Sequence, residues 1–177
     1  MADRYAQRAP VEDADETPVG NGAPARRPAV PTILFADASV DYRAMARDAL
    51  LEGSGPCDLR FATDGADLLD YVYRRGRHAD AVTAPLPSLI VLDLDLPQSG
   101  LDPAHPVGLD AVKAIKADEN LRHIPVIALT ARADRETVAG AYDAGVNTFI
   151  AKPVTFLALV KLMKAFTAYW LEAAELP

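Results

Sequence analysis

The chain has 177 residues, half of them hydrophobic and 24% charged, a length that holds one compact domain and a tail and excludes most multidomain enzymes. Its 18 Lys and Arg against 25 Asp and Glu give a formal charge of -7 and a sequence pI near 4.9, which argues against binding to nucleic acid or to an anionic membrane. A lone cysteine, Cys57, no membrane-length apolar run and no apolar core after Met1 lead us to expect a cytoplasmic protein without disulfides.

Residues 1–31 carry Pro10, Pro18, Pro24, Pro28 and Pro31 with no sustained apolar period, which predicts a disordered N-terminal extension. From residue 32 to 177, short apolar runs alternate with amphipathic stretches, the pattern of βα units around a parallel sheet. A first strand over 33–36 precedes a helix that Ser39 can cap, with Tyr42, Met45, Ala46, Ala49 and Leu50 on one face. A weaker strand near 59–62 leads into a helix capped by Asp64 that bears Leu68, Leu69 and Val72. The third strand, over 89–92, is followed by a helix over about 109–117, and the fourth, over 126–129, by a helix that Asp134 caps and Gly145 closes. A fifth strand over 148–151 and a helix from about 155 to 174 complete the chain.

Four strands run into a polar residue: Asp37, Asp93, Thr130 and Lys152. The carboxyl ends of parallel strands share one edge, where open α/β sheets bind ligands. Any one of these residues alone reads as a cap or turn former. Lys152 has no capping role, however, and its charge near a core calls for an anion beside it. Together they suit phosphoryl transfer to a carboxylate: Asp93 and Asp37 as hard ligands for Mg²⁺, with Lys152 and the Thr130 hydroxyl on the phosphoryl oxygens.

The runs Ile33-Leu34-Phe35-Ala36-Asp37, Leu89-Ile90-Val91-Leu92-Asp93-Leu94-Asp95-Leu96-Pro97, Ile124-Pro125-Val126-Ile127-Ala128-Leu129-Thr130-Ala131 and Gly145-Val146-Asn147-Thr148-Phe149-Ile150-Ala151-Lys152-Pro153 resemble the response-regulator receiver family of two-component signalling. The resemblance implies a flavodoxin-like, five-stranded doubly wound parallel sheet of order 2-1-3-4-5 with five helices. It further implies a sensor histidine kinase as donor, Asp93 as phosphoacceptor and the Asp95 backbone carbonyl as a third metal ligand. Thr130 and Phe149 would relay phosphorylation to the surface of the fourth helix and fifth strand, and the Lys152-Pro153 bond would be cis. The long connection from Tyr73 to Pro87, with Arg74-Arg75-Gly76, and the ending Tyr169-Trp170-Leu171-Glu172 are similar to those of small standalone regulators that partner bacterial phytochromes, which implies a bacteriophytochrome as the kinase.

Two departures bear on mechanism. Where receivers carry an acidic pair, Asp37 is followed by Ala38, so a weakened Mg²⁺ site is expected, with the Asp95 carboxylate restoring part of the charge. The stretch from Gln98 to Val107, with Pro103, His105 and Pro106, is long for the family and should overhang the site as a solvated loop.

Two rivals belong to other classes. Asp93-Leu94-Asp95 also looks like the nucleophile motif of haloacid-dehalogenase phosphatases, but no acid follows Lys152 before Glu172. A receiver-like module that binds its partner without phosphorylation is favoured by Ala38. No output domain follows the fifth helix in this chain, so it is expected to act through a partner or as a phosphate sink, and not as an enzyme beyond its own phosphotransfer and dephosphorylation. In that helix Phe156, Val160, Met163 and Trp170 form one apolar stripe, and Leu159, Leu162, Phe166 and Tyr169 a second. One stripe suffices for the sheet, so the other predicts a homodimer through the fourth helix, fifth strand and fifth helix.

Overall fold

A computed structural model describes residues 30–52, 56–98 and 107–177. Nearly all of the expected extension, and most of the 98–107 stretch with His105, lie outside the described residues.

Five parallel strands, β1 (Thr32–Ala36), β2 (Asp58–Ala62), β3 (Leu89–Leu92), β4 (Val126–Thr130) and β5 (Thr148–Ala151), form one sheet in the order β2-β1-β3-β4-β5, as expected. Between and after them lie α1 (Val40–Leu51), α2 (Gly65–Val72), α3 (Gly108–Ala117), α4 (Arg135–Asp143) and α5 (Phe156–Thr167). The expected caps are in place. Ser39 Oγ accepts from the Tyr42 amide, Asp64 Oδ1 from Asp67 and Asp134 Oδ1 from Thr137, and Thr155 Oγ1, not singled out as a cap, accepts from Ala158 in the same way, each satisfying an amide the first turn leaves unpaired. Gly145, at φ +100°, closes α4 in the left-handed region.

Alternation along the strands divides the core in two. Leu34, Ala36, Ile90, Leu92, Val126 and Ala128 face α2, α3 and α4, while Ile33, Phe35, Leu89, Val91, Ile127 and Leu129 face α1 and α5. On the first side the start of α3 lies tight against the chain after β3. A Cβ on Gly108 would fall 2.6 Å from the Leu94 Cα and carbonyl oxygen, so no larger residue fits without moving the backbone that follows Asp93.

Two expectations are corrected. The described residues contain no cis peptide bond, so Lys152-Pro153 is trans; an X-Pro amide prefers trans slightly, and the trans chain already brings Lys152 to its partners. The second stripe on α5 is not an outer face. Leu159 and Phe166 are as buried as Val160 and Met163, because the helix packs on α1 as well as on the sheet and needs both stripes. The regular helix also ends earlier than expected, at Thr167, and a π-helical turn over Ala168–Ala173 follows, in which the Ala174 amide reaches back to the Tyr169 carbonyl.

At one margin of the sheet the Tyr142 hydroxyl, from α4, accepts from the Phe149 amide of β5 at 3.3 Å. At the other, Arg60 of β2 is held by Asp58 and by the Thr83 carbonyl.

Candidate functional site

The strand order reverses between β1 and β3, so their carboxyl ends lie side by side, joined by the bond from the Asp93 amide to the Ala36 carbonyl. Continuing the alternation past each strand end puts Asp37, Asp93 and Lys152 on the α1 and α5 side, and Thr130 on the side of α3 and α4. The site therefore has two halves.

In the first half, Lys152 Nζ lies 2.5 Å from Asp93 Oδ2 and 2.7 Å from Asp37 Oδ2. The Asp37 side chain is 2% exposed, that of Asp93 11% and that of Lys152 14%. The remaining oxygens accept backbone amides, Asp37 Oδ1 from Ser39 at 2.8 Å and Asp93 Oδ1 from Asp95 at 3.0 Å. Burial alone would lower the Lys152 pKa, but the two carboxylates outweigh it and hold the ammonium charged above its usual range. The Tyr42 ring, from the first turn of α1, lies under the ammonium with its centroid 4.6 Å from Nζ, and Arg43 bonds the Asp37 carbonyl. Ala38 is exposed.

In the second half, the fully buried Thr130 donates its hydroxyl to Asp95 Oδ2 at 3.2 Å and accepts the Arg132 amide at 3.3 Å. Arg132 Nε lies 2.5 Å from Asp95 Oδ1. Phe149 is half-buried against the core cluster shared by α2, α3 and α4. The Asp95 carboxylate, expected to add charge at the metal site, is thus occupied by Thr130 and Arg132.

The arrangement brings together Asp37, Asp93 and Lys152, and separately Thr130 and Asp95. Sequence reasoning placed Tyr42 only on an apolar helix face and did not single out Arg43 or Arg132. For Tyr42 the signal was available: three residues after a cap at the active edge, it sits in the first turn of a helix that starts where Asp37 ends.

Among the described residues no three His, Cys, Asp or Glu side chains are grouped to hold a metal. The carboxylates of Asp37 and Asp93 nevertheless fit Mg²⁺, which keeps several waters and takes one or two protein carboxylates. Among the described residues Asp37 Oδ2 is buried without a well-formed hydrogen bond and faces the Lys152 ammonium, which leaves it a lone pair for a cation.

The chain is thus a doubly wound parallel sheet with two acids and a lysine at its switch point. The response regulator receiver domain model matches residues 33–164, and the chain belongs to that family. It is 27% identical over 145 residues to response regulator Rcp1 of Synechocystis, covering 82% of this chain and 91% of that one. Among solved structures, the phosphorylated cyanobacterial phytochrome response regulator RcpA is 28% identical with a TM-score of 0.74, over 84% of this chain and 99% of that one. The Mn²⁺-bound form of Rcp1 is 26% identical with a TM-score of 0.72, over 83% and 99%.

Proposed function

We propose that this chain is a response regulator that accepts a phosphoryl group from a sensor histidine kinase onto Asp93, with Mg²⁺ held by Asp37, Asp93 and the Asp95 carbonyl. The observation that carries the reading is Lys152 bridging two nearly buried carboxylates at the carboxyl ends of β1 and β3. A cation so placed neutralises charge on a phosphoryl group entering at Asp93. The metal, when bound, supplies the second positive charge that lets a dianionic donor approach. Lys152 orients the transferred group and Thr130, once released from Asp95, donates to another of its oxygens. This chain acts on itself and not as an enzyme on other substrates. The likeness to RcpA, a phytochrome response regulator, supports a bacteriophytochrome as the kinase.

Output is proposed through the α4, β5 and α5 flank, with a second copy of this chain as occupant. Phe166 and Leu159 of the second stripe are buried and do not form this surface. Its support is the exposed set Tyr142, Phe156, Leu157 and Tyr169.

The test is labelling by acetyl phosphate with Mg²⁺ and by a phosphorylated kinase. Wild type should be labelled and Asp93→Asn should not. Equal labelling of both would overturn the assignment, and absence of labelling in wild type would favour a module that binds without phosphorylation.

A further inference from the structure

Tyr42 is not explained by packing alone. Its ring contacts Phe35, with centroids 6.4 Å apart, and a Phe or Leu would fill that space as well. Among the described residues its buried hydroxyl has no hydrogen-bond partner, an unfavourable state for a polar group. The face of the same ring lies 4.6 Å from Lys152 Nζ, within the range at which a cation is attracted to an aromatic quadrupole.

We propose that Tyr42 is a positioning residue for phosphoryl transfer, its ring face holding Lys152 over Asp37 and Asp93 and its hydroxyl free to donate to an oxygen that enters with the phosphoryl group. This rests on Asp93 being the acceptor. Three features converge on it. Lys152 has carboxylates on one side and the ring on another, so the ring limits where the ammonium can swing when an anion arrives. The ring that carries this unused donor lies against the Lys152 ammonium, where an entering multiply charged oxyanion would supply the partner it lacks among the described residues. Burial first, then the charges of Asp37 and Asp93, push the phenol pKa well above its usual value, so the hydroxyl remains protonated and able to donate.

The test uses the full chain with Mg²⁺ and beryllofluoride, a phosphoryl mimic, followed by calorimetry, alongside Mg²⁺ titration alone and thermal melting. Tyr42→Phe should bind beryllofluoride about tenfold more weakly than wild type, the loss expected for one charge-assisted hydrogen bond. Tyr42→Leu should lose more, and both should bind Mg²⁺ alone as wild type does. If Tyr42→Leu melts early, Tyr42→Met, with a side chain that packs flexibly, replaces it in the same comparison. Wild-type affinity in Tyr42→Phe overturns the role of the hydroxyl, and equal affinity of the Phe and Leu variants overturns that of the ring. Parallel losses of Mg²⁺ and beryllofluoride binding with melting temperature show a structural residue and overturn both. Labelling of Asp93→Asn by acetyl phosphate, run in parallel, reports separately on whether Asp93 is the acceptor.

Discussion

Thr130 donates its hydroxyl proton to Asp95 Oδ2 at 3.2 Å, so the hydroxyl proposed to bind the phosphoryl group is engaged by a carboxylate in the resting protein. Arg132 closes the same arrangement from the far side of Asp95. Loading the site has to break a hydrogen bond before it makes one. Asp95→Ala is therefore expected to raise the rate of labelling by acetyl phosphate about fivefold, the equivalent of ~1 kcal/mol for one hydrogen bond removed from the ground state. Slower labelling would show that the Asp95 carboxylate itself serves the metal.

Lys152→Met should abolish labelling and change the alkaline limb of stability. The folded-state pKa of Lys152 is raised, because Asp37 and Asp93 outweigh the effect of burial. Its contribution is then fully present below the unfolded lysine pKa of about 10.4 and is lost as pH rises through the higher folded value. Urea denaturation across that window should show wild type losing stability that the variant never had.

Asp67 contributes on the acid side. Burial would raise its pKa, but hydrogen bonds from Arg77 and His78 and from the Thr63 amide hold it below the usual carboxylate range. A depressed acid contributes stability that is present above its unfolded pKa and is lost as pH falls through the folded one. Asp67→Asn should lower stability at neutral pH and flatten the decline below about pH 4. An unchanged acid limb would show that other carboxylates set it.

The flank of α4, β5 and α5 is tested by two contrasting substitutions. Leu157, 65% exposed, should tolerate Leu157→Asp with an unaltered melting temperature while a dimer, measured by light scattering, dissociates. Phe166, at 5%, should not tolerate Phe166→Asp, because an unpaired carboxylate in that position costs several kcal/mol. A wild type that is monomeric at micromolar concentration would remove the dimer from the proposal.

The elements were legible because each carries a local signal. Ser39, Asp64, Asp134 and Thr155 start helices by bonds that span only three residues, and nearly continuous apolar runs mark strands covered on both faces. Asp37, Asp93 and Lys152 were readable because strand direction alone places them on one edge. The burial of Phe166 was not readable, since it depends on how closely α1 lies along α5. Nor was the attachment of Asp95 to Thr130 and Arg132, because a side chain three residues past the end of β3 can turn toward either half of the site.

The hydroxyl of Tyr142 on the Phe149 amide has a bearing on what kind of partner the chain can take. A strand at a sheet margin ordinarily offers its free amides to any extended peptide, and this is how many recognition domains recruit ligands and how misfolded chains nucleate fibrils. Here α4 occupies the outward amide in the middle of β5. An incoming peptide would have to dislodge that tyrosine before it could lengthen the ladder, so recognition on this flank falls to side chains fitted against α4 and α5, and the same contact guards the stored protein against end-to-end sheet growth.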